Sequence, residues 1–170
     1  MKDFTITNLL KFLLIIFISD KIINIIFQSI LITREPKLSV IMPIYNGEKY
    51  INISLSSVQN QKFKDIEIIM VDDNSNDDSL QLIRSYIQKD KRIKLIENKE
   101  NRRILFSKSL AALNSKGKYI IEIDQDDMFT RDDVFDILYY ESEKYELDIL
   151  HFNFTFGKSS FDKTKLETIF

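Results

Sequence analysis

A chain of 170 residues can bury one real core but not two large ones, and its 44% hydrophobic and 29% charged residues are ordinary for a soluble globular domain. Its 24 basic and 26 acidic residues are well mixed and leave a net charge of −2, which offers no basic footprint for nucleic acid. Cysteine is absent and His151 is the single histidine, so thiolate and multi-histidine metal sites are excluded and any metal must be held by oxygen, as magnesium, manganese or calcium are. The three glycines, Gly47, Gly117 and Gly157, stand too far apart for a P-loop or a dinucleotide fingerprint.

Residues 4–32 are dominated by Leu, Ile and Phe, with Asp20 and Lys21 at their centre. On a helical wheel Asp20, Lys21, Asn24 and Gln28 share one narrow face. Apolar residues at roughly −0.3 to −0.6 kcal/mol each are set against an Asp and a Lys at about +2.5 to +3.5 each, so the insertion sum is close to balanced. The segment is expected to be a helix that anchors the chain in a membrane or lies in its interface. The plainer reading is an amphipathic helix packed on protein. No small-x-small cleavage site follows it, which argues against a signal peptide. Residues 33–37 read as a linker closed by Pro36. The expected organisation is an anchor and linker over 1–37 and one domain over 38–170.

From Leu38 short apolar runs alternate with helical periodicity. Leu38–Pro43 and Ile66–Val71 have the continuous Ile/Val character of strands buried on both faces. Between them, Glu48–Asn60 carries Ile51, Leu55 and Val58 at helical spacing. Asp77 and Asp78 suit the positive end of a helix whose stripe is Leu80, Ile83 and Ile87. A strand is predicted over Arg92–Glu97, a helix over Arg103–Ser115 with Gly117 as its C′ residue, and a strand over Tyr119–Asp124. Thr130 with Asp133 has the spacing of a capping box for a helix reaching Tyr145, and Leu147–Phe154 reads as a last strand. Strands alternating with helices of this length predict an α/β domain, a mostly parallel sheet with helices on both faces.

In such a sheet ligands sit beyond the carboxyl ends of the strands, and three polar groups fall there. They are Pro43-Ile44-Tyr45-Asn46-Gly47, Asp72-Asp73-Asn74-Ser75-Asn76-Asp77, and Asp124-Gln125-Asp126-Asp127. Taken singly, each could be something bland: an Asn-Gly turn, a helix cap, a solvated loop. Together they crowd carboxylates at one edge, which is costly unless a cation or hydrogen-bond donors compensate. Asp124 and Asp126, spaced i and i+2 where a strand becomes a loop, can point the same way. That suits one hard divalent ion with positions left open for diphosphate oxygens, and a metal in that role accounts for the lack of a Gly-rich loop.

The runs SVIMPIYNGEKYI, DIEIIMVDDNSNDDS and GKYIIEIDQDD, in this order, resemble the three signatures of family 2 glycosyltransferases, which share the Rossmann-like GT-A fold. The likeness spans about Leu38 to Phe154. It implies transfer of a sugar from a nucleoside-diphosphate sugar (a UDP- or GDP-sugar) to a hydroxyl of a glycan, lipid or protein acceptor, assisted by Mn2+ or Mg2+. It also implies that Pro43 and Tyr45 line the base pocket and that Asp73 hydrogen-bonds the base edge. Asp124 and Asp126 would then serve ribose and metal, with Asp126 the stronger metal candidate. Arg103 falls where some members place a basic residue near the nucleotide. The helix LFSKSLAALNS departs from the family pattern, with Ser109 where an Asn often lies. Inverting members take their catalytic base from an acidic motif further downstream, and neither Asp148 nor Asp162 stands in one, so no catalytic base is assigned. The alternative from another class is a truncated, non-catalytic module that keeps the nucleotide-sugar pocket without the acceptor half; on either reading this chain alone is expected to show at most slow hydrolysis. A receiver domain would need a phospho-accepting Asp after its third strand and a Lys after its fifth, and has neither.

Overall fold

The computed structural model describes residues 21–24 and 35–150. The chain divides into two units, Met1–Glu35 and Pro36–Phe170. In the first, the described residues 21–24 are helical. The rest of the apolar helix expected over 4–32 lies outside the described residues, as do His151, Gly157 and Asp162. Among the described residues no helix is long and apolar enough to cross a membrane.

In the second unit, β1 (Leu38–Ile44) and β2 (Ile66–Asp72) are buried at every position. They pair in parallel from Leu38↔Ile66 to Ile44↔Asp72. Strand β3 (Ile93–Glu97) pairs with β2 and β4 (Tyr119–Glu122) with β1, giving the order β3-β2-β1-β4, parallel throughout. Central strands covered on both faces have no reason to alternate polar with apolar, which is why β1 and β2 read as continuous runs.

Among the described residues four helices cover the sheet: α1 (Ile51–Gln59), α2 (Ser79–Lys89), α3 (Arg103–Leu113) and α4 (Val134–Tyr145). Successive strand residues face opposite sides, and the core divides accordingly. Val40, Met42, Ile68 and Met70 pack with Leu55 of α1, Ile83 of α2 and Phe135 of α4. Ile41, Ile69 and Val71 pack on the other side with Ala111 of α3. Helices therefore lie on both faces, as expected.

Several boundaries differ from the sequence reading, each for a visible reason. Helix α1 starts at Ile51 rather than Glu48, because Gly47 turns the chain and its carbonyl accepts from Tyr50 N and Ile51 N. Helix α2 starts at Ser79 because the Asp77 carboxylate is taken by the backbone N–H groups of Glu48 (3.1 Å) and Ser79 (3.0 Å). The capping box at Thr130–Asp133 does not form: Asp133 makes no side-chain cap and instead accepts from the Arg131 guanidinium at 2.7 and 2.6 Å. Strand β4 ends at Glu122, although Ile123 N still donates to Ile41 O. Gly117 does not take a positive φ, so it is not a left-handed helix cap. A Cβ there would come within 2.5 Å of Ser39 N, so close packing is what requires glycine. Residues 147–150 form no strand, and the remainder of the strand expected over 147–154 lies outside the described residues.

Candidate functional site

Because all four strands run the same way, the loops after β1, β2 and β4 emerge together at the carboxyl edge of the sheet. Two of them are stitched to each other by backbone-to-side-chain hydrogen bonds. Asn46 N donates to Ser75 Oγ (3.0 Å), Asn76 N to Asn46 Oδ1 (2.8 Å) and Gly47 N to Ser79 Oγ (2.8 Å). Asn46 and Asn74 turn the chain with φ of 50° and 62°, a region that asparagine tolerates better than most residues. The third loop joins through Gln125, whose Oε1 accepts from Tyr45 N at 2.9 Å and whose Nε2 donates to Tyr45 O at 3.1 Å. This two-point contact fixes the backbone that carries the Tyr45 ring.

Between these loops and the start of α3 lies a cleft of about 350 Å³. All six residues singled out from the sequence, Pro43, Tyr45, Asp73, Arg103, Asp124 and Asp126, line it. Tyr45 is exposed, so its ring is available to a ligand, whereas Asp73 is buried. Asp73 Oδ1 accepts from Asn98 Nδ2 (2.7 Å) and Arg102 N (2.8 Å), and Asn98 Nδ2 also lies 3.1 Å from Ser107 Oγ. Burial acts to raise the Asp73 pKa, but these hydrogen bonds outweigh it and hold the carboxyl below its ordinary value. Arg103 adopts φ of 71°, a strained conformation for a residue with a side chain, at the point where the chain enters α3 beside the cleft.

The Asp124–Asp127 turn is charged and incompletely satisfied. Asp124 Oδ1 is buried without an aligned hydrogen bond, although the Lys108 ammonium of α3 stands 2.9 Å away as an ion pair. Burial, then the charges of Asp126 and Asp124, push the Asp127 carboxyl above its ordinary value. Among the described residues no three His, Cys, Asp or Glu side chains converge on one point. Asp124 and Asp126, both lining the cleft, are a donor pair that fits a magnesium-like ion using one or two carboxylates with substrate phosphates and water. The fit rests on the chemistry of this donor pair, two carboxylates lining one cleft, with Asp126 exposed.

Three contributors escaped the sequence reading. Gln125 and Lys108 act through partners distant in the chain, and Asn98 acts through Asp73. Helix α3, of which only Arg103 was expected at the cleft, lines it with Ile104 and Ser107 as well. The available signal was a lysine between Ser107 and Ala111, both fully buried, on the inward face of that helix. Asp148 is exposed and does not line the cleft.

A parallel α/β sheet with a cleft and an acidic pair at its carboxyl edge is the architecture in which α/β domains bind ligands at strand ends. Residues 39–169 match the model of glycosyl transferase family 2, and the chain belongs to that family. It is 34% identical over 133 residues to an uncharacterized glycosyltransferase of Haemophilus influenzae, covering 78% of this chain and 53% of that protein. Among solved structures it is similar to residues 1–349 of S. aureus TarS, with a TM-score of 0.61 and 28% identity over 65% of this chain and 33% of that one. TarS has been solved with UDP and with UDP-GlcNAc. A mannosyltransferase from Pyrobaculum calidifontis, solved with GDP-Man and Mn2+, shares the fold at 23% identity and a TM-score of 0.55, over 63% of this chain and 31% of that one. The chain thus spans about half the length of the first relative and a third of the TarS chain.

Proposed function

We propose that the cleft binds a nucleoside-diphosphate sugar, with a UDP-sugar as the leading candidate, and that the protein transfers the sugar to an acceptor hydroxyl of a glycan, lipid or protein. The observation that carries this reading is the convergence of Pro43, Tyr45, Asp73, Arg103, Asp124 and Asp126 on one cleft in a family 2 chain. The UDP and UDP-GlcNAc complexes of TarS, at 28% identity, favour uridine as the base. Tyr45 offers an aromatic face for stacking, and Asp73 a carboxylate acceptor for an N–H on the base edge. Asp124 is assigned to the ribose and to metal, Asp126 to metal, and Arg103 to the nucleotide. A bound Mn2+ or Mg2+ would neutralise charge developing on the departing nucleoside diphosphate. Gln125 keeps Tyr45 in register with the acidic pair, because one side chain joins both loops.

The test is a panel of UDP- and GDP-sugars with manganese, reading release of free nucleoside diphosphate with and without acceptors. UDP release that requires metal and is lost in Asp126→Ala is the expected result. Release that is unchanged by chelation, or absent with every sugar nucleotide, would contradict the assignment. We also propose that residues 4–32 attach the chain to a membrane, on the strength of their apolar length and narrow polar face. Fractionation of the full chain beside one starting at Thr33 checks this, and equal solubility of the two would refute it.

A further inference from the structure

Two carboxylates facing a diphosphate present a charge problem even before a divalent ion is considered. Asp124 and Asp126 repel the ligand they are proposed to receive, and Asp127 follows them in the same turn. Among the described residues, Lys108 is the cation that forms an ion pair with this acidic turn. Its side chain is only 20% exposed and its ammonium is shared between Glu122 and Asp124. Helix α3 fixes its position, since Ser107 and Ala111 on the same face are fully buried.

We infer that Lys108 is a positioning residue of the cleft: it draws Asp124 Oδ1 toward α3 and supplies, ahead of any ligand, positive charge that lets the acidic pair accept a diphosphate. This rests on the nucleotide-sugar reading of the cleft. With Oδ1 engaged at 2.9 Å, Asp124 presents its other oxygen to the ligand, and Asp126, exposed and outside this ion pair, is the carboxylate left for metal. The same helix bears on the other end of the cleft, because Ser107 lies against the Asn98 amide that holds Asp73. Helix α3 is thereby a common frame for the base end and the phosphate end.

A purely structural tie between α3 and β4 would behave differently from a charge poised against the ligand. The full chain and its Lys108→Met and Lys108→Arg variants are titrated calorimetrically with UDP and with GDP, in EDTA and in saturating manganese, with melting temperatures taken in parallel. Lys108→Met should weaken UDP about tenfold in EDTA, the scale of one lost charge-assisted contact, and much less in manganese, because the ion replaces the missing charge. Lys108→Arg should restore most of the affinity. If Lys108→Met fails to fold because Glu122 loses its partner, Lys108→Met with Glu122→Gln removes that unpaired charge and should show the same dependence on metal. Equal weakening in both conditions, or none, in a folded variant overturns the role of Lys108 alone. A native chain that binds neither nucleotide in either condition overturns the nucleotide-sugar reading and this inference with it.

Discussion

Glu67, near the amino end of β2, and Asp124, just past the carboxyl end of β4, are both carboxylates set against a lysine, and they differ in how fully they are satisfied. Glu67 is 4% exposed. It accepts from Ser39 Oγ (2.5 Å), Lys94 Nζ (2.5 Å) and Lys116 N (2.6 Å). Burial acts to raise its pKa, but those hydrogen bonds and the Lys94 charge bring it below the ordinary value. Ser39 Oγ in turn accepts from Gly117 N, so the network locks the turn before β4 onto β1. Asp124 has a buried oxygen with no aligned donor and a side chain that is 38% exposed to the cleft. Asp72, at the same edge, also keeps a buried oxygen without a partner. A closed polar network rigidifies a fold, whereas an open one at a cleft is a place for a ligand to complete. The amino edge of this sheet does the first and the carboxyl edge the second.

That division can be broken by substitutions at either edge. Glu67→Ala strands three donors and should cost about 3 kcal/mol of stability, read by thermal or chemical unfolding, while UDP affinity stays the same. Weakened UDP binding in the folded variant would show that the two edges are coupled. Gly117→Ala should cost about 2 kcal/mol, again without a binding defect, because its Cβ would meet the Ser39 backbone at 2.5 Å and backbone cannot swing aside. At the other edge the signs reverse. Asp73→Asn keeps an acceptor for Arg102 N but removes the charge, and should weaken UDP by about 1–2 kcal/mol with little loss of stability. If Asp73→Asn abolished manganese binding and left nucleotide discrimination unchanged, the base-edge role would be wrong.

The smallest effect is expected from acid. Glu67 is held below its ordinary 4.5, and the Arg92 guanidinium beside Asp90 holds that carboxyl well below its ordinary 3.8. Both take up protons more readily in the unfolded chain, so their contribution is complete above about pH 5 and is lost as pH falls through the folded-state values. Unfolding midpoints measured downward from pH 6 should decline with acid, and Glu67→Gln should make the decline shallower. An unchanged slope would remove Glu67 from the account.

The sheet was legible because β1 and β2 are mostly apolar, and short runs of this kind between turn signals suit strands covered on both faces. The cleft was legible because its polar groups follow strands directly, so strand ends alone place Tyr45, Asp73 and Asp124 at one edge. Helix starts were not, because Asp77, which suited the start of α2, also accepts from the distant Glu48 N, and Glu48, where α1 was expected to begin, accepts from Asp78 N instead. Gly117 was misread for a related reason, since what demands glycine there is a neighbouring strand rather than its own φ. Lys108 was invisible because a lysine between two buried small residues acquires meaning only from Asp124, which lies on another element.

We propose that the carboxyl edge is an unfinished metal site that the diphosphate completes. The most direct measurement is the electron paramagnetic resonance signal of free Mn2+, titrated with protein in the presence and absence of UDP and compared with UDP alone. The account predicts weak uptake of Mn2+ by the protein alone and much tighter uptake with UDP present, with UDP affinity raised by Mn2+ by the same factor, as linkage requires. Asp126→Ala should erase that coupling. Mn2+ uptake that is indifferent to UDP, or UDP binding that is indifferent to Mn2+, would contradict it.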